Sequence, residues 1–243
     1  MNPKVFSPDD IVYLEWGWFE LNATLVFTWV TMAILVVGAA IVTRRLKTGP
    51  RMSRWQNLVE VVVSYMRSEI RNITQQDPGI YLPFVGTLFL FILGCSLLAV
   101  VPGYSPPTAS LSTTAAQAIC VFVSVPLFGI VREGVGAYMK HYIEPTPLML
   151  PFNIMSELSR TLALAVRLFG NMLSGMKVAA ILVSLVPFLF PIVFNLLGLL
   201  IGIIQAYIFT VLALVYIASG TRSAKEQEEK VRDESSETPN TQT

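Results

Sequence analysis

The alternation of apolar and polar stretches divides the chain into five long apolar runs separated by short polar clusters. The first, LNATLVFTWVTMAILVVGAAIV, covers about residues 21 to 42 and is long enough to cross about 30 Å of hydrocarbon at about 1.5 Å per residue. The others lie near 82 to 102, 110 to 131, 150 to 186 and 187 to 219. Each reads as a membrane-spanning helix. Between the first two, WQNLVEVVVSYMRSEIRNI at 55 to 73 repeats Trp55, Leu58, Val59, Val62, Met66, Ile70 and Ile73 at helical spacing, with Gln56, Glu60, Ser64, Arg67 and Arg71 elsewhere around the turn. That stretch predicts an amphipathic helix lying in the membrane interface.

At about 37 and 33 residues, the last two runs would measure roughly 50 Å as helices, against about 30 Å of hydrocarbon. They must tilt steeply, kink or extend out of the lipid. Pro187 and Pro191 between them supply a turn and prevent one continuous helix. The expected fold is an all-α integral membrane protein: five transmembrane helices and one amphipathic interfacial helix, with the last two spans forming a long, steeply tilted hairpin.

Composition agrees, since 53% hydrophobic and 14% charged side chains in 243 residues lie far from the soluble balance. The N-terminal segment, residues 1 to 20, sets only Lys4 against Asp9, Asp10, Glu15 and Glu20, so the first run reads as a retained span and not a signal peptide. With no organellar transit segment ahead of it, the expected location is a bacterial plasma membrane. TRRLKTGPRMSRW after the first span holds Arg44, Arg45, Lys47, Arg51 and Arg54, which assigns that loop to the cytoplasm. Threading the spans from there puts Arg132, Lys140, Arg222, Lys225, Lys230 and Arg232 on the same side and leaves VPGYSPPTAS, without charge, outside. The N-terminus is then outside and the C-terminus inside. The membrane domain covers 21 to 220, and the polar tail, 221 to 243, is expected to be disordered beyond its first turns.

Cys95 and Cys120 fall inside apolar runs and read as small packing residues. No nucleotide loop, metal-ligand cluster or nucleophile elbow appears, and the lone His141 reads as plain loop surface. No cofactor, metal or nucleic-acid partner is expected.

Within the fourth run, Glu157, Arg160, Leu164, Arg167, Asn171 and Ser174 are spaced three or four apart and form one mostly polar stripe. A charge near the bilayer centre costs at least a few kcal/mol, so such groups face protein or a water-filled cavity and mark ion or substrate paths. Arg160 is close enough to the cytoplasmic face to snorkel, whereas Arg167 lies about two turns further in. Glu157 is spaced to pair with Arg160, and Lys177 lies off the stripe within reach of the outer interface. The fifth run adds Asn195 and Gln205, and an antiparallel hairpin brings Gln205 close to the level of Arg167. Gly198, Gly202 and Ala206 repeat every four positions, a pattern that permits close helix approach.

A guanidinium stays protonated, so it cannot shuttle protons, but it forces a nearby carboxyl to ionise or displaces a cation from it. No Asp or Glu of this chain lies clearly at the level of Arg167, so the carboxylate belongs to another subunit. An amide such as Gln205 would orient the guanidinium without neutralising it.

RLFGNM at 167 to 172, with Arg160 seven residues earlier and QAYIF at 205 to 209, resembles the membrane subunit a of F-type ATP synthases. Weaker similarities include GPRMSRWQNLVEVV at 49 to 62, LFLFILGCSLLAVVPG at 88 to 103 and REGVGAY at 132 to 138, so the resemblance covers about residues 25 to 220. It implies an ion-translocating stator subunit working against a rotating ring of c subunits, each with a mid-membrane carboxylate. Arg167 matches the stator arginine that separates two offset aqueous half-channels, and Asn171 and Gln205 match its polar partners. The resemblance further implies contacts with peripheral-stalk b subunits, other synthase subunits and membrane lipid, and transport of H+ or Na+.

Some positions depart from the family pattern. Members commonly carry an acid or histidine nine residues after the arginine and its counterpart seven before the glutamine, and here those positions are Met176 and Gly198. The acid usual fourteen residues before the arginine is Asn153, with Glu157 one turn later. These losses fit a hydrated Na+ path and an altered proton path alike. A secondary transporter or standalone channel remains the alternative, although neither inverted repeats nor a selectivity element is found.

Overall fold

The computed structural model describes residues 12–16, 19–44, 54–101, 103–136, 149–185 and 190–236. Along the chain run β1 (Val12–Trp16), β2 (Phe19–Asn22), α1 (Ala23–Arg44), α2 (Arg54–Thr74), α3 (Leu82–Leu98), a 3-10 turn at Pro107–Ala109, α4 (Leu111–Glu133), α5 (Met149–Leu185) and α6 (Phe190–Ser236). The class is all-α. Four helices are long and apolar enough to cross a membrane, over Ala23–Arg44, Leu111–Val131, Pro151–Ser184 and Ile192–Ser219. The run expected over 82 to 102 is helical only to Leu98, where 17 residues give about 25 Å. Lys4, Asp9, Asp10, Arg45, Lys47, Arg51, Lys140, His141 and Pro187 lie outside the described residues.

Two elements differ from expectation. The segment before α1 holds an antiparallel hairpin in which Glu15 pairs with Glu20 and Trp16 with Phe19, with an irregularity between Val12 and Leu14. Its signal was the concentration of branched and aromatic residues on both sides of Gly17, which the charge pattern of the segment obscured. At the other end, the tail expected to be disordered continues α6 as helix to Ser236. SAKEQEEKVRDE is rich in good helix formers, and a helix already nucleated in the bundle extends one hydrogen bond at a time without a new nucleation cost.

The amphipathic stretch forms α2 and buries Met66 and Ile70. These pack with Tyr81 and Val85, with Val125 of α4, and with Leu214 and Ile217 of α6. Val59, Val61 and Tyr65 of the same helix stay exposed, so α2 serves both the bundle and its apolar surroundings. The Tyr65 phenol is pushed up to about 12, first by its hydrogen bond with Tyr207 of α6 and then by Glu69. That hydrogen bond ties α2 to α6.

The centre of the bundle is α6, which touches α2, α3, α4 and α5. Leu88 and Ile92 of α3, Val121 of α4, Leu164 and Leu168 of α5, and Ala206, Phe209 and Ala213 of α6 form one buried cluster. α1 stands at the margin against α3 and the 3-10 turn. There the Thr31 hydroxyl meets the Tyr104 hydroxyl at 2.5 Å, and Phe27 sets its ring edge-on to Tyr104 at 5.0 Å. Most of α1's apolar surface, including Trp29, Met32, Val36 and Ile41, is exposed.

The repeat of small residues on α6 does two different things. A Cβ on Gly202 would come within 2.6 Å of Ser96 Cβ, so the missing side chain is what lets α3 and α6 meet. Gly198, one turn earlier, has nothing within 4 Å. Gly202→Ala is therefore expected to lower the unfolding temperature of the detergent-solubilised protein, at a cost of about 1–3 kcal/mol. Gly198→Ala should leave that temperature unchanged or slightly raised. Equal losses in the two variants would contradict the close approach at Gly202.

Candidate functional site

Each edge of α5 has a distinct chemistry. Thr161, Leu164, Ala165 and Leu168 are buried, and Leu158, Leu162 and Val166 are exposed. Arg160, Arg167, Asn171 and Ser174 are exposed along a third edge. Leu164, counted in the sequence stripe, has turned inward into the core, so the polar edge is interrupted by one apolar turn.

Two contacts join this edge to α6. The Asn171 side-chain amide donates to Gln205 Oε1 at 2.7 Å, and the Arg160 guanidinium carbon lies 5.9 Å from the centroid of the Tyr216 ring. The separation from Arg160 to Asn171 equals that from Gln205 to Tyr216, as an antiparallel pair in register requires. Arg167 lies one turn from Asn171, about 6 Å along the axis. By the same register it faces the level of Phe209, which is wholly buried. Gln205 is thus one turn away from the arginine, and its direct partner is Asn171.

Arg167 makes no hydrogen bond or ion pair with the described residues. Large apolar side chains are also exposed on the two helices, among them Leu162 and Val166 on α5 and Leu200, Ile203 and Ile204 on α6. Gln205 is only 3% exposed, and its Nε2 has no hydrogen-bond partner among the described residues. Glu157 is half-buried, and its backbone carbonyl accepts from the Thr161 hydroxyl at 2.9 Å.

Next to the Asn171–Gln205 pair lies a cleft of about 260 Å³ between α3, α5 and α6. Ser96, Asn171, Asn195 and Gln205 give it polar atoms, while Met176 and Gly198 lie on its wall. Asn171, Asn195 and Gln205, separate in the sequence, are therefore brought to one place. Asn153, Glu157, Arg160, Arg167 and Ser174 do not line the cleft, and Asn153 sits about 27 Å from Asn171 along α5. Two contributors were not found from the sequence, Ser96 and Tyr216. The available signal for Ser96 was a lone hydroxyl in LFLFILGCSLL, and for Tyr216 its position three turns past Gln205 on the same helical face.

The family profile "ATP synthase A chain" matches residues 25–218. A protein of Albidiferax ferrireducens named ATP synthase subunit a is 58% identical over 92% of this chain and 96% of its own length. ATP synthase subunit a 2 of Picosynechococcus sp. is 57% identical over 92% and 95%, and ATP synthase subunit a 1 of Crocosphaera subtropica is 55% identical over 88% and 93%. With the apolar helices already described, these matches establish a multi-pass membrane component of the Fo sector: the chain belongs to the ATP synthase A chain family.

Proposed function

We propose that this subunit carries ions across the membrane as the stator of a rotary F-type ATP synthase, with Arg167 as the group that forces each ion off a carboxylate of a passing c subunit. The observation that carries this reading is the guanidinium exposed on a membrane helix with no partner among the described residues. Left in lipid, a charge at that depth costs at least a few kcal/mol. A partner surface that is apolar apart from an acid at the same level removes that cost, and α5 and α6 together present the matching face.

In this mechanism the fixed positive charge lowers the affinity of the ring carboxylate for its ion whenever the two meet. Because the guanidinium never deprotonates, it also bars ions from slipping directly between two offset half-channels. The Asn171–Gln205 pair and the cleft beside it form the end of one half-channel. Asn153, Glu157 and Arg160, toward the start of α5, are assigned to the approach from the opposite face. Asn195 belongs to the wall of the first half-channel and Ser174 to the edge that the ring sweeps. The positive loop charge supports an outer position for that first half-channel in a bacterial plasma membrane, with the N-terminus outside and the C-terminus inside. The ring, the b subunits of the peripheral stalk and surrounding lipid are the partners of this reading.

The test is ATP-driven ion uptake by the reconstituted complex. Arg167→Ala is expected to abolish coupled uptake while the c ring still co-purifies, and normal pumping by that variant would end the stator assignment. Uptake by the isolated subunit would point to a channel or transporter instead. Gln205→Leu removes the acceptor for Asn171, and loss of one hydrogen bond of about 1 kcal/mol should slow pumping roughly five-fold. The measurement is the initial uptake rate at equal complex content.

A further inference from the structure

A second groove, of about 220 Å³, lies between α2, α3 and α6 and takes no residue from α5. Its floor is Met66, Ile70, Val85 and Leu214, all buried, with Phe89 and Val211 beside them. Thr210 lines it too, but its hydroxyl donates to the Ala206 carbonyl at 2.8 Å and is satisfied within α6.

The other polar groups stand at one edge. Tyr65 and Glu69, one turn apart on α2, meet Tyr207 of α6 there, and the two tyrosines are 53% and 38% exposed. The Tyr65 hydroxyl is hydrogen-bonded with both Tyr207 and Glu69, and the two rings lie 6.4 Å apart, tilted by 39°. Glu69 is the one charged residue in the lining. Arg67 and Arg71, two positions to either side of it, fall on other faces of α2, and both are exposed.

Two constraints narrow what such a groove holds. It opens along a helix that reads as interfacial, so its occupant has an apolar part in the groove and a polar part at headgroup level. Methylenes that leave surrounding hydrocarbon for an apolar groove gain little, so any choice among lipids is made at the polar edge. A carboxylate and two phenol oxygens accept hydrogen bonds there, and no lysine or arginine of the lining receives an anionic headgroup. An ammonium group with three N–H donors matches that set, whereas a headgroup of hydroxyls and negative charge does not.

We infer that the groove between α2, α3 and α6 binds an amine-bearing phospholipid, phosphatidylethanolamine, with part of an acyl chain against Met66, Val85 and Leu214 and its ammonium on Glu69 beside Tyr65 and Tyr207. The lipid fastens the interfacial helix to the central helix of the bundle. This site rests on the membrane setting of α2 and not on the role of Arg167.

The test uses the assembled complex in nanodiscs that carry a diazirine acyl-chain analogue of phosphatidylethanolamine, phosphatidylglycerol or phosphatidylcholine, with cross-links mapped by peptide mass spectrometry. The ethanolamine lipid is expected to label residues 61–70 and 207–214 about five-fold more than either other lipid, the order set by one charge-assisted hydrogen bond. Glu69→Gln should remove that preference while the other synthase subunits still co-purify. Val211→Trp, which fills the groove, should lower labelling of both segments by all three lipids. Equal labelling of the wild type by the three lipids, stronger labelling by phosphatidylglycerol, or no label on either segment would overturn the inference. So would a preference that survives Glu69→Gln. The wild-type comparison decides even if a variant fails to assemble. Normal pumping by Arg167→Ala would end the stator reading and leave this site standing.

Discussion

Helices surrounded by hydrocarbon gain nothing by hiding apolar side chains from it, so their positions are fixed where backbones come close and where polar side chains find one another. For this chain that constraint acts on α6. Its glycine at 202 lets it approach Ser96 of α3, and its Gln205 receives Asn171 from α5. The buried layers around Phe209 and around Ile217 then fill the space those contacts define. Dispersion among well-fitted side chains supplies the remaining cohesion. α1 is held at the margin by contacts that include the Thr31–Tyr104–Phe27 group and Leu35 against Gly94, and its outward face is apolar.

The sequence was most legible where one physical requirement dominated. Length and hydropathy marked the long helices, the spacing of Met66 and Ile70 marked the buried face of α2, and a charge at Arg167 inside an apolar run marked the functional helix. It was least legible where the outcome depends on a partner element. Leu164 belongs to the polar stripe by spacing, but the bundle lies on that side of α5 and takes it into the core. Arg160 also lies over Tyr216 of the neighbouring helix, a contact that spacing along α5 does not announce. Gly198, Gly202 and Ala206 look alike in the sequence, yet Gly202 is a contact and Gly198 an opening, because only one of them faces α3 closely. The β1–β2 hairpin is masked in the sequence by Glu15 and Glu20, acidic residues that interrupt its branched and aromatic pattern although they pair across it.

Buried polar groups in this molecule fall into two kinds. Ser96, Thr161 and Thr210 return their hydroxyls to carbonyls of their own helices, which satisfies them locally at no demand on the fold. Gln205 does not: its Oε1 accepts from another helix, and its Nε2 has no partner among the described residues. That asymmetry separates residues that merely tolerate an apolar setting from one that organises it.

The pairs Arg160–Tyr216 and Asn171–Gln205 sit at equal spacing along two antiparallel helices, like two pins through a pair of bars. Sliding either helix by a single residue would displace it about 1.5 Å and turn it about 100°, pulling both pins at once. Small axial slips are thereby excluded, and a sideways load applied anywhere on α5 is delivered to α6 and through Gly202 to α3. The hairpin yields as one rigid body or holds.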